Sequence, residues 1–179
     1  ASPHPSADDP QTRWATACQS TFYPCLIFML YAILKTIHVL SIAIWIGGMV
    51  FTQFFLRPAL MVLEPPMRLR VMHALLGRFL NAMLLIAGLT VISGGGMLGR
   101  MEIQTAIPLE WLIMAGLGGI MLCVLLFIRF VLYVRLTHSV SASAWAVGAV
   151  VLGHIRKGVG INLSIAVLIV FITLLGNTA

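Results

Sequence analysis

Carboxylates are almost missing from this sequence: 5 Asp and Glu stand among 179 residues, against 11 Lys and Arg. No pair of them falls inside an apolar run, which leaves hydrolysis without its usual acid–base couple. A phosphate loop, a nucleophile elbow and a zinc-protease helix are absent too, so nucleotide chemistry has no signature here. Cysteine is scarce. Cys18, Cys25 and Cys123 are odd in number and lack C-x-x-C spacing, which argues against a cysteine metal site. Cys123 lies in an apolar run and is read as a small hydrophobe, while a Cys18–Cys25 disulfide has only proximity in its favour. Charged residues make up 9% of the chain, where soluble domains carry roughly a quarter. The net charge of +6 does not point to nucleic acid, because the basic residues stand at the ends of apolar runs, where they set membrane topology.

What is abundant is apolar surface. Hydrophobic residues reach 60% and the mean hydropathy is +1.05, the composition of an integral membrane protein. Four apolar runs are each long enough for the about 20 residues that cross a bilayer, and they use nearly everything after residue 24. Residues 1–24 mix Pro, Ser, Asp and Thr without the pattern of a cleavable signal, and are expected to form a polar extracytoplasmic tail, partly disordered. Residues 25–179 then form a single membrane domain.

The first apolar run reaches Leu56 and exceeds one perpendicular span. Either the helix tilts, or Lys35 marks the outer edge and residues 25–34 lie at the interface. Arg57-Pro58 is expected to end it, and Glu64-Pro65-Pro66 to break the loop. The second span is predicted from about Arg68 to Leu98. Near its end, Ser93-Gly94-Gly95-Gly96 is either a frayed terminus or a place where a backbone or a flat cofactor comes close. The third runs from Pro108 to about Arg135, with Gly116, Gly118 and Gly119 permitting close helix contact. The fourth starts within residues 143–158 and ends near Gly176, residues 145–152 being an inner extension or a separate interfacial piece.

Arg57, Arg68, Arg70 and Arg78 lie around the first connection, and Arg129, Arg135, Arg156 and Lys157 around the third; only Arg13 and Arg100, with Lys35 at the edge, oppose them. The positive-inside rule therefore places both termini outside the cytoplasm, as in a bacterial inner-membrane protein. The expected fold is all-α, an antiparallel four-helix transmembrane bundle.

Within this apolar setting one stretch is anomalous. Lys35, His38, Ser41, Trp45, Gly48 and Thr52 share one side of the first helix, a polar stripe that has to be buried against protein. His38 is therefore either a hydrogen-bonded core histidine, a haem axial ligand or part of a soft-metal site. Its candidate second ligands are Met97, Met101 and Met114, at the outer ends of spans two and three. His73, His138 and His154 fall at a common depth at the opposite end, as a metal cluster, a two-helix haem site through His73 and His154, or three unconnected interfacial histidines. Arg78, Asn81 and Asn162 form a further polar group near the inner boundary, Arg78 being suited to a propionate or anionic substrate or simply to anchoring at the interface.

The pattern Lys35-x-x-His38-x-x-Ser41-x-x-x-Trp45-x-Gly47-Gly48, followed by Arg57-Pro58, resembles the first helix of CopD-type membrane proteins and is similar to the HemJ class of protoporphyrinogen oxidases. Met72-x-x-Leu75-Leu76-x-Arg78-Phe79 continues the resemblance, as do residues 156–163 with Asn162. It implies a small bundle tied to copper uptake, as for CopD, or to haem b and porphyrinogen oxidation, as for HemJ, with His38 the shared family histidine. The HemJ class also carries a lysine and a histidine in its third helix, where this chain is apolar around Ile113 and Val124, and an Asn-Glu pair where it has Asn162-Leu163. The expected function is a membrane-embedded redox metal centre, haem b ahead of copper, with Lys35, Trp45, Arg78 and Asn162 around the cofactor. An accessory subunit that packs its glycine-rich faces on a larger membrane complex is the non-catalytic reading.

Overall fold

A computed structural model describes the backbone of residues 10–99 and 109–176, and the side chains of residues 26–99, 109 and 111–175. Four helices in these segments are long and apolar enough to cross a membrane: Leu26–Leu60, Pro65–Leu98, Trp111–Ser141 and Trp145–Leu175. They pack as an all-α four-helix bundle, a multi-pass membrane architecture.

The first helix runs farther than expected in both directions. It starts at Pro10, taking in part of the polar segment, and extends as Pro10–Val50, the π-helical Phe51–Leu56 and the short Arg57–Leu60. At about 1.5 Å per residue that rod measures about 75 Å, against a hydrocarbon core of about 30 Å. Lys35 thus sits mid-rod, with no break between residues 34 and 35. Arg57-Pro58 does not stop the helix. Pro58 lacks an N–H and its ring crowds the carbonyl four residues back, that of Phe54, which belongs to the π segment. Those wider turns loosen the backbone just where proline needs room, and the helix ends instead at Leu60.

The second helix begins at Pro65, three residues before Arg68, because Glu64 is held extended ahead of a proline (φ −57°, ψ 147°) and Pro65-Pro66 occupy the donor-free first turn. It runs unbroken to Leu98, so the three glycines are not a frayed end. The third helix is Leu109–Phe127, a π segment Ile128–Leu132, and Tyr133–Ser141, passing Arg135 by six residues. It closes on Ser143, whose φ of 55° is left-handed, with Ala142 N–H donating to the His138 carbonyl at 3.0 Å and Ala144 N–H to that of Ser139 at 2.9 Å. The fourth helix, Trp145–Gly176, is continuous, so residues 145–152 are its first turns.

Buried positions follow the bundle seam. Leu69, Leu76, Leu80, Met83 and Ala87 recur at intervals of seven, four, three and four on the second helix, and join Trp45, Met49, Met121, Leu125, Ile128, Leu132, Leu136 and Ile155 in one core. Outward stand Phe28, Phe54, Phe55, Ile92 and Phe171, a surface that suits lipid. The glycines meet different fates. Gly148 is buried against Leu69 and Gly158 half-buried against Ile128, whereas a Cβ on Gly116, Gly118 or Gly119 would meet nothing within 4 Å, so these three make no close contact with the described residues.

Candidate functional site

His38 packs into the second helix where that helix has given up its side chains. Its Nδ1 lies 3.0 Å from the Thr90 carbonyl oxygen and 3.2 Å from Ser93 Oγ. A carbonyl only accepts, so Nδ1 carries the proton. Ser93 agrees with this assignment, since its own hydroxyl donates to the Leu89 carbonyl at 2.6 Å and leaves its lone pairs for the imidazole. Gly94 forms the floor: a Cβ there would lie 2.9 Å from His38 Cε1. Two residues on, Gly96 gives room to Leu34, whose Cδ1 would lie 3.3 Å from a Cβ there. The close approach permitted by the glycines is thus made by an imidazole and a leucine.

In the neutral ring this arrangement leaves Nε2 with a lone pair, and among the described residues Nε2 makes no hydrogen bond. A histidine held at Nδ1 by a backbone carbonyl and free at Nε2 has the arrangement of a metal-ligating imidazole with its outer hydrogen bond in place. Thr90, Ser93 and Met97 share a helix face at i, i+3 and i+7, and both Ser93 and Met97 are buried. Met114 is half-buried near the start of the third helix, while Met101 lies outside the described residues. Ser41, Trp45 and Met49 continue the buried stripe below His38, Trp45 as part of the core, and Lys35 is exposed.

At the other end the three remaining membrane histidines do not converge. Among the described residues no three His, Cys, Asp or Glu side chains are placed to hold a metal ion. His138 and His154 are exposed. His73 is engaged elsewhere: Thr137 donates its hydroxyl to the Tyr133 carbonyl and so accepts from His73 Nε2 at 3.0 Å. The His73 ring stacks on Tyr133 at 5.2 Å between centroids with 1° between planes. Arg129 lies 5.2 Å over the same Tyr133 ring. Gly77 makes room for the Tyr133 hydroxyl, which donates to the His73 carbonyl at 3.4 Å. Histidine depth alone does not reveal this ladder, because its other members are an arginine, a tyrosine and a threonine. Arg129, Tyr133 and Thr137, spaced by four, were its visible sign.

The polar group of Arg78, Asn81 and Asn162 is divided among three settings. Arg78 is exposed, and Asn81 accepts from Arg129 Nε at 3.0 Å. Asn162 is buried against the third helix, where its Nδ2 donates to the Met121 carbonyl at 3.1 Å and its Oδ1 has no partner among the described residues. Comparison with known protein families, curated proteins and solved structures gives no match for this chain.

Proposed function

We propose that this protein holds a redox-active metal centre in the outer half of its bundle, haem b with His38 Nε2 as an axial ligand, and serves electron transfer or porphyrinogen-type oxidation in a bacterial inner membrane with both termini extracytoplasmic. The observation that supports it is the His38 clamp: Nδ1 tied to Thr90 and Ser93, Nε2 unengaged. Among the described residues the donor set fits one imidazole ligand and no second one, because His73, His138 and His154 lie near the other end of the bundle. When bound, a haem would supply one-electron chemistry. The chain's own share is to orient His38 against Gly94 and to keep the proton on Nδ1, while Ser41, Trp45 and Met97 are buried on the same two helices.

A second reading is Cu(I) held by His38 with a thioether. It is favoured by Met97, buried on the same face as Ser93, since imidazole and thioether suit a soft monovalent ion. Absorption spectroscopy with metal analysis of the detergent-purified chain tests both. The haem reading expects a Soret band that His38→Ala abolishes or shifts. The copper reading expects a colourless preparation that retains Cu(I) through His38 and Met97. Protein that keeps neither group after expression with both supplied overturns the proposal.

A further inference from the structure

At the arginine-bearing end, far from His38, a cavity of about 230 Å³ opens between the last turns of the first helix and the first turns of the second and fourth. Three guanidinium groups stand in its walls: Arg57 and Arg68, both half-buried, and Arg156, which is exposed. Among the described residues no carboxylate balances them. Glu64, the one acidic residue whose side chain is described, is exposed and outside the lining. Arg68 Nη1 instead points at the Met61 sulfur at 3.2 Å, a weak acceptor that neutralises nothing. Apart from Thr52 and Gln53 the remaining wall is apolar, with Leu56, Leu76, Phe79 and Trp145, and Arg70 lies 5.2 Å over the Trp145 ring.

Clustered cations in a partly desolvated site repel one another unless an anion joins them, and guanidinium is the side chain best matched to phosphate oxygens. The apolar wall requires that the same ligand carry hydrocarbon. We infer that this cavity is a binding site for the phosphate headgroup of an anionic phospholipid, with the head among Arg57, Arg68 and Arg156 and the start of one acyl chain against Leu56 and Phe79. The volume lies just under the about 300–1,000 Å³ of whole-ligand pockets, which suits a headgroup whose tails continue into the bilayer. Gln53, in the π segment, also lines the site: its Nε2 donates to the Arg156 carbonyl at 3.0 Å and ties the first helix to the fourth.

The test is native mass spectrometry and thermal melting of the full chain in detergent, with phosphatidylglycerol, with phosphatidylcholine of the same chains, and with inorganic phosphate. The wild type should retain one phosphatidylglycerol at about tenfold higher affinity than phosphatidylcholine, the gain of a charge-assisted contact. Arg57→Gln with Arg68→Gln should bring the two lipids level, and Arg135→Gln, exposed and outside the cavity, should not. Gly153→Leu offers an independent check that keeps every charge, since Gly153 lines the cavity and a Cβ there meets nothing within 4 Å; it should expel the lipid by filling the space. Equal retention of both lipids by the wild type, or phosphatidylglycerol still held by Gly153→Leu, overturns the proposal. Equal stabilisation by inorganic phosphate overturns the lipid source and assigns the site to a free anion.

Discussion

Gly94 and His38 are mutually dependent: a methyl group on Gly94 would stand 2.9 Å from Cε1 and 3.3 Å from Nδ1 of the imidazole. The ring cannot keep its bond to the Thr90 carbonyl and also make room for that methyl. Gly94→Ala should therefore cost about 1–2 kcal/mol, the loss of one part-buried hydrogen bond plus local overpacking. Gly95→Ala, one position on, meets nothing within 4 Å and should be neutral or slightly stabilising through helix propensity. Thermal melts of the two variants in the same detergent decide the matter. Equal melting temperatures would mean that the imidazole does not rest on Gly94.

Asn162 is the buried amide with one half satisfied. Its Nδ2 reaches the Met121 carbonyl, while Oδ1 is buried without a partner among the described residues. An amide that is half desolvated for nothing gains little over a hydrocarbon of similar size, so Asn162→Leu should stay within about 1 kcal/mol of wild type. Asn162→Asp removes the donor and buries a carboxylate, and should lose about 3 kcal/mol or more at neutral pH. A large loss in Asn162→Leu, seen by denaturant or thermal unfolding, would show that Oδ1 is in use.

Ser143 adopts a φ of 55° in the turn between the third and fourth helices, and no glycine among the described residues does so. A non-glycine residue in the left-handed region costs about 1 kcal/mol. Ser143→Gly should recover part of that cost and raise the melting temperature; Ser143→Val should lower it, because a β-branched side chain fits this region worst. No change in either variant would indicate that this turn relaxes freely.

Much of the architecture was legible because bilayer thickness and backbone satisfaction leave few choices. Four apolar runs, the helix end at Leu98 and the fourth helix ending at Gly176 are local properties of sequence. What escaped was longer in range or finer in geometry. Pro58 looks like a terminator until the π segment ahead of it is known, and the second π segment, Ile128–Leu132, has no breaker to announce it. Gly94 read as room for a backbone or a flat cofactor, and its occupant, the His38 ring 56 residues earlier in sequence, was set by helix pairing. The histidines illustrate the same limit. Depth along a helix is countable from sequence, but rotation about its axis is not, and rotation sends His73 to Thr137 and Tyr133 while His138 and His154 remain exposed.

The contact of Gly148 with Leu69 makes a sharper test of the arginine-bearing end. Gly148 is buried, and a Cβ on it would collide with Leu69 Cδ2 while touching Ser139 Cβ at 3.5 Å. Leu69 is 3% exposed and belongs to the core, and the space into which its side chain can turn is the cavity it lines at this end, at the cost of its rotamer and its core contacts. Gly148→Ala should then destabilise by about 1–3 kcal/mol through overpacking, despite the better helix propensity of alanine. Leu69→Ala alone should cost about 2–5 kcal/mol by leaving a cavity. The double variant separates packing from propensity. If the collision is the cause, the added methyl partly fills the space that Leu69 vacates, and Gly148→Ala becomes neutral or stabilising in the Leu69→Ala background. The coupling in such a cycle should reach about 1 kcal/mol or more, as expected for residues in direct contact. Strict additivity would mean that the second and fourth helices are not packed as closely here as Gly148 and Leu69 indicate.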